Sequence, residues 1–166
     1  RLNTDGSTDT SFHTFNGADG RVVALAIRPD GEIYLGGSFT TYGGLYYLRI
    51  ALIKPDGSPD TGFNQPIGGA SGEIMCFSFQ TSNTLLIAGD YTFYNGNLIN
   101  YLDRINLNGI YDNNFFVGQD ANAIVNAVLA QPNGKILIGG VFTSFDGSPV
   151  NRMAQLSFSG SLDTTF

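Results

Sequence analysis

The stretch "DGSPDTGF", residues 56–63, carries oxygen side chains at the spacing that opens a calcium loop. Asp56, Ser58 and Asp60 fall at i, i+2 and i+4. A calcium ion takes about six to eight oxygens in fixed places, so every ligand position matters. The same letters also make a tight turn, and three further copies decide between the two readings. "DGSTDTSF" lies at 5–12, "NGIYDNNF" at 108–115 and "SGSLDTTF" at 159–166. The third copy has Asn108, Ile110 and Asp112 at the ligand positions, and the fourth has Ser159, Ser161 and Asp163. Gly as the second letter, Asp as the fifth and Phe as the eighth persist in all of them. Gly allows a backbone with positive φ, Asp caps a turn, and Phe fills a core. The expectation is a turn with no metal.

Other residues with chemical potential are few. His13 is the only histidine, and its counterparts in the later units are Asn64 and Phe116. No G-x-S-x-G elbow accompanies it. No phosphate loop, H-E-x-x-H or complete EF-hand loop occurs. "GGASGE" (68–73) is Gly-rich but lies between strand patterns rather than before a helix, unlike a phosphate cradle. The single cysteine, Cys76, rules out an intrachain disulfide and reads as a small buried side chain. No catalytic residue and no cofactor are expected, and the chain is not read as an enzyme.

Aromatic residues are the remaining candidates. Tyr42, Tyr94 and Phe145 align between units, which suggests shared packing. Tyr46, Tyr47 and Tyr101 stand where the units differ, among "LYYL" (45–48), "NLIN" (97–100) and "SPVN" (148–151). Loops on a rigid scaffold carry specificity, and Tyr offers rigid area with a polar tip. Tyr46, Tyr47, Asn97, Asn100 and Tyr101 are therefore the candidate ligand-binding residues, for a glycan or a protein surface.

What must position them is a repeat. Phe12, Phe63, Phe115 and Phe166 close successive copies at intervals of 51, 52 and 51 residues. "EIYLGGSFT" (32–40), "TLLIAGDYT" (84–92) and "KILIGGVFT" (135–143) keep the same register. Residues 1–12 read as the end of a preceding unit, followed by whole units at 13–63, 64–115 and 116–166. A period near 50 marks blades or a solenoid. Val22–Arg28 is apolar at both alternations, the pattern of a strand buried on both faces. "PDG" (29–31) is a turn to a second strand, "YGG", "YNG" and "FDG" make the next turn, and a third strand follows. Inner strands are expected at 22–28, 74–80 and 125–131. The aligned small residues Ala24, Cys76 and Ala127, and Gly37, Gly89 and Gly140, suggest where the units crowd together. No segment shows a capped helical period.

Composition agrees. The 166 residues include 22 Gly, no Trp and 13% charged residues, with a net charge of −6. The acidic balance and the lack of basic runs argue against nucleic acid or an anionic membrane as partner. No apolar stretch approaches the ~20 residues that span a bilayer, so no membrane insertion by a helix is expected. The chain opens on Arg1 with no signal peptide, which reads as a processed chain or a piece of a longer one.

"RPDGEIYLGGSFT…DGSPDTGF" and "QPNGKILIGGVFT…SGSLDTTF" resemble the delta-60 repeat, a β-propeller repeat of bacterial and phage proteins. The resemblance covers all three units. In the middle one "TSNTLLIAGDYT" lacks the Pro-x-Gly turn and "NGIYDNNF" lacks the Ser and the Thr. The resemblance implies propeller blades of a large extracellular, cell-surface or virion protein, and it brings no catalytic motif. The expected fold is all-β, with propeller-like blades: three complete repeats plus the tail of a fourth. A β-trefoil is the rival with three units, and the absence of Trp speaks against it. Propellers close with about four to eight blades, so the chain is expected to join a larger array or copies of itself. The expected function is a structural scaffold with an interaction or adhesion role. The alternatives are a lectin-like propeller or, more remotely, a fragment of a propeller hydrolase.

Overall fold

The computed structural model describes residues 1–63, 68–115 and 118–166. The turn residues and alternating apolar runs give the same arrangement three times. The first blade holds β1 (Val22–Ile27), β2 (Ile33–Gly37), a short hairpin of β3 (Thr41–Tyr42) and β4 (Leu45–Tyr46), and β5 (Ile50–Ile53). The second holds β6 (Glu73–Thr81), β7 (Thr84–Asp90), the hairpin β8 (Phe93–Tyr94) and β9 (Asn97–Leu98), and β10 (Leu102–Asn106). The third holds β11 (Val125–Ala130), β12 (Ile136–Gly140), the hairpin β13 (Ser144–Phe145) and β14 (Ser148–Pro149), and β15 (Met153–Leu156). Each blade is an antiparallel three-stranded sheet, ordered β1-β2-β5, β6-β7-β10 and β11-β12-β15. Among the described residues there is no helix.

The middle unit's missing Pro-x-Gly does not open its hairpin. β6 and β7 run on until Thr81 pairs Thr84, and their hydroxyls meet at 2.7 Å. The "DGSxDxxF" segments add only single bridges to the third strands, Ile53 with Pro59, Ile105 with Tyr111 and Leu156 with Leu162. They are turns beside the sheet.

Two backbone devices recur in register. Gly37, Gly89 and Gly140 face a β-bulge at the start of each inner strand. A Cβ on any of them would overlap the carbonyl oxygen of Arg21, Glu73 or Ile124. The crowding expected between units at these glycines therefore lies within each blade. The second device is a left-handed residue before the third strand: Arg49 (φ 68), Tyr101 (φ 70) and Arg152 (φ 65). Each donates its N–H to the carbonyl of Phe39, Tyr91 or Phe142, and accepts from the N–H of Gly37, Gly89 or Gly140. A non-glycine residue held there costs of order 1 kcal/mol or more, which the surrounding bonds must outweigh.

The core lies between blades. One buried cluster joins Tyr34, Leu52 and Phe63 of the first blade to Ile74, Leu85 and Ile87 of the second. There the Tyr34 ring meets Phe77 at 6.2 Å and Phe79 at 6.1 Å, and its hydroxyl donates to the Leu107 carbonyl. Another cluster joins Leu86, Ala88 and Leu102 to Val128, Ile138 and Phe142. The sequence pattern of β1 suggested burial on both faces, and the structure corrects this. Leu25 and Ile27 are about two-thirds exposed, because no blade of this chain covers that face.

Candidate functional site

The "DGSxD" carboxylates serve their own turns. Asp56 Oδ1 accepts from the N–H and hydroxyl of Ser58, and Asp60 Oδ1 accepts from the Gly62 N–H. Asp5 bonds Ser7 in the same way, Asp112 bonds Asn114, and Asp163 bonds Thr165. The Ser7 hydroxyl and N–H hold the Asp5 carboxyl below its usual range, as those of Ser58 do for Asp56. Such oxygens are already committed. We expect millimolar calcium, and equally a chelator, to shift the melting temperature by less than about 1 °C in a thermal scan. A calcium-dependent rise of many degrees would establish a folded-state site.

His13 is exposed, and its backbone N–H donates to the Asp56 carbonyl. Its counterparts Asn64 and Phe116 lie outside the described residues. Burial pushes the Cys76 thiol up to about 11, and the thiol donates weakly toward the Ala88 carbonyl. A thiol so placed is a poor nucleophile at neutral pH.

The five candidate ligand residues do not converge. Tyr46 is 54% exposed on the β3–β4 hairpin, and Asn97 is exposed at the same position's neighbour on β8–β9. Tyr47, by contrast, is buried, and its hydroxyl donates to the Asp60 carbonyl at 2.8 Å. It holds the closing turn to the blade and is no surface ligand residue. Asn100 donates its backbone N–H and, more weakly, its side-chain amide to Asp120 Oδ2, tying the second blade to the third. Tyr101 is the left-handed residue described above, half-buried against the second cluster. The aligned Tyr42, Tyr94 and Phe145 are core residues, as their recurrence suggested.

What stands exposed instead is a set of apolar side chains on the short hairpins. Leu45 and Tyr46 on the first, and Phe93 and Leu98 on the second, are all 41–70% exposed. Tyr46 and Leu98 occupy one repeat position, while Leu45 corresponds to Asn97 and Phe93 to Thr41. Beside Phe93 lies a recess of about 230 Å³, lined by Leu48, Gly69, Ser71 and Asn95 among others. The Ser71 hydroxyl accepts from the N–H of Thr92 and Phe93, and the Asn95 side-chain oxygen accepts from the Gly69 N–H.

The blade geometry has a counterpart in a known family. The family described as "Domain of unknown function (DUF5122) beta-propeller" matches residues 28–63, 80–115 and 131–166. The chain belongs to this family. Each match runs from about the turn before the second strand to the closing Phe, and nearly all of each inner strand lies outside it. No curated protein matches the chain.

Sequence reasoning missed two buried carboxylates in this DUF5122 propeller. Asp103 on β10 is fully buried; its Oδ1 accepts from the Arg104 N–H, and its Oδ2 has no partner among the described residues. Asp120 is 8% exposed, with φ 60, and its Oδ1 is likewise unpartnered. Burial pushes the Asp103 carboxyl far up and that of Asp120 up to about 6. The available signal was a comparison of units: Asp103 stands where Ala51 and Ala154 stand, and Asp120 where Gly17 and Gly69 stand.

Proposed function

We propose that the chain is a non-enzymatic repeat scaffold of the delta-60 kind, working in an extracellular, cell-surface or virion setting. It presents the hairpin edge to a protein or glycan surface. The observation that carries the reading is the separation of roles along the repeat. Residues shared by the units are spent on turns, bulges and core. The exposed apolar side chains on the hairpins, Tyr46, Phe93 and Leu98, are particular to single units. Phe93 beside the recess and Tyr46 on the preceding hairpin offer exposed ring faces that suit stacking on a sugar, and the Ser71 hydroxyl, which accepts two N–H bonds, still has its proton to donate. That favours the lectin-like variant over a purely structural scaffold.

The test is a glycan array together with a pull-down from host or cell-surface extract, comparing the wild type with Tyr46→Ala/Phe93→Ser. Loss of anchoring rings lowers affinity at least tenfold, since a buried aromatic anchor is worth about 2 kcal/mol or more. Both positions are exposed, so the thermal transition should hardly move. If the wild type binds no glycan and no protein, the binding reading fails and the scaffold alone remains.

A further inference from the structure

The recess beside Phe93 lies where the first and second blades meet, and its lining departs from the repeat. Leu48 stands where the other units have Asn100 and Asn151. Ser71 stands where they have Asp19 and Asn122, and Phe93 where they have Thr41 and Ser144. Most of the remaining lining is glycine, and no charged residue takes part.

The Ser71 position is a clasp in every blade. Asp19 accepts from the N–H of Thr40 and Thr41, Ser71 from those of Thr92 and Phe93, and Asn122 from those of Thr143 and Ser144. Each side chain holds the start of its short hairpin. Asp19 also accepts from the Thr40 hydroxyl and, held at about 2, has no proton to give at neutral pH. The Asn122 amide turns to the Thr143 hydroxyl. The Ser71 hydroxyl does the same work as an acceptor and keeps its proton, which meets no acceptor among the described residues. Asn95, across the recess, is tied by both ends of its amide, to the Gly69 N–H and the Gly109 carbonyl.

These features define what fits. The occupant is neutral, because a charge there would be desolvated without a counter-charge. It brings one acceptor oxygen for Ser71 and an apolar group for Leu48. A volume of about 230 Å³ is below the ~300–1,000 Å³ of sites that enclose a whole small molecule, so a substituent enters and the rest stays outside. The exposed Phe93 ring is placed to meet that rest. An acetamido group has the carbonyl, the methyl and the neutrality. A hydroxyl alone would leave the Leu48 side without a partner.

We infer that the recess is a subsite for the acetamido group of a neutral N-acetylated hexosamine. The Ser71 hydroxyl donates to the acetamido carbonyl, the methyl lies against Leu48, and the sugar ring stacks on Phe93. This rests on the glycan reading above and narrows it to one sugar class.

The repeat itself supplies variants that keep the fold. Ser71→Asp takes the residue of the first blade, retaining the clasp and losing the proton. Leu48→Asn takes the residue of the other two units. Amide shifts of the full chain would be followed by NMR during titration with N-acetylglucosamine, N-acetylgalactosamine, glucose, galactose and N-acetyl-lysine. Both N-acetyl sugars should bind at least about tenfold more tightly than their parent sugars, the discrimination that one apolar group and one hydrogen bond command. The shifts should centre on Ser71, Phe93 and Gly96. Ser71→Asp should lose about tenfold or more for the N-acetyl sugars with an unchanged thermal transition, and Leu48→Asn should narrow the gap to the parent sugars. Equal affinity for glucose and N-acetylglucosamine would overturn the acetamido subsite and leave the glycan reading standing. Binding of none of the sugars would overturn both. N-acetyl-lysine binding as tightly as the sugars, or a Ser71→Asp variant that binds like the wild type, would overturn the roles given to the sugar ring and to Ser71.

Discussion

Gly140→Ala should unfold at a much lower temperature than Gly139→Ala, although the two glycines are neighbours on one strand. The Gly140 N–H donates to Arg152, and a Cβ there would overlap the Ile124 carbonyl oxygen. That oxygen also accepts from the Val141 N–H, so the clash opens the bond that fixes the bulge. Steric strain and the opened bond together should cost about 3 kcal/mol. For a chain of this size that is a fall of roughly 6–12 °C in Tm. Gly139 has free space at its Cβ, and Ala there should change stability by less than about 0.5 kcal/mol. Gly37→Ala and Gly89→Ala should behave like Gly140→Ala, since each meets a carbonyl in the same way. A thermal scan in which Gly140→Ala and Gly139→Ala melt together would refute the role given to the bulge.

The contrast also shows what a repeat makes legible. Periodic phenylalanines, the Gly pairs and the turn letters gave blade number, strand order and phase, because each is repeated under the same steric demand. The inner strands expected at 22–28, 74–80 and 125–131 appear at Val22–Ile27, Glu73–Thr81 and Val125–Ala130. What periodicity could not show is which face of a blade is covered. β1 has the letters of a strand buried twice over, yet its Leu25 and Ile27 side is open, since coverage depends on a neighbour rather than on the strand. The candidate site was legible only in part for a related reason. Tyr46 and Tyr47 are adjacent, and alternation along a strand sends their side chains to opposite sides. One is exposed and the other lies in the core. Tyr101 read as a ligand residue because the other units have arginine at its position. Its left-handed backbone, shared with Arg49 and Arg152, marks the position as structural.

The second large effect runs the other way. Asp103→Ala should stabilise the protein at neutral pH and flatten its pH dependence. The carboxyl is fully buried on β10 with one oxygen unpartnered, and the other two blades carry Ala51 and Ala154 at its place. Removing a buried polar group that lacks a partner recovers about 1–3 kcal/mol of desolvation, or roughly 2–12 °C in Tm. The sign with pH follows from burial, which pushes Asp103 far above 3.8. Charge at Asp120 and Asp112 pushes the same way, while the Arg104 N–H and guanidinium pull it down. The unfolded chain loses this proton near 3.8 and the folded chain keeps it to much higher pH, so stability falls as pH rises across that interval. Asp120, pushed up by burial to about 6, adds a loss between about 4 and 6. On the acid side the order reverses. Hydrogen bonds from Ser11 and Thr40 hold Asp9 and Asp19 at about 2, so their contribution is present above 3.8 and is lost as pH falls toward 2. Wild-type stability should therefore peak in weak acid and decline toward neutrality. In Asp103→Ala that decline should shrink to the part due to Asp120, and Asp103→Ala/Asp120→Asn should remove it. Denaturant titrations at pH 4.5, 6 and 7.5 would read the difference. A wild type equally stable at all three, or an Asp103→Ala variant less stable than wild type at pH 7.5, would show that the buried carboxylate has a partner that offsets its burial.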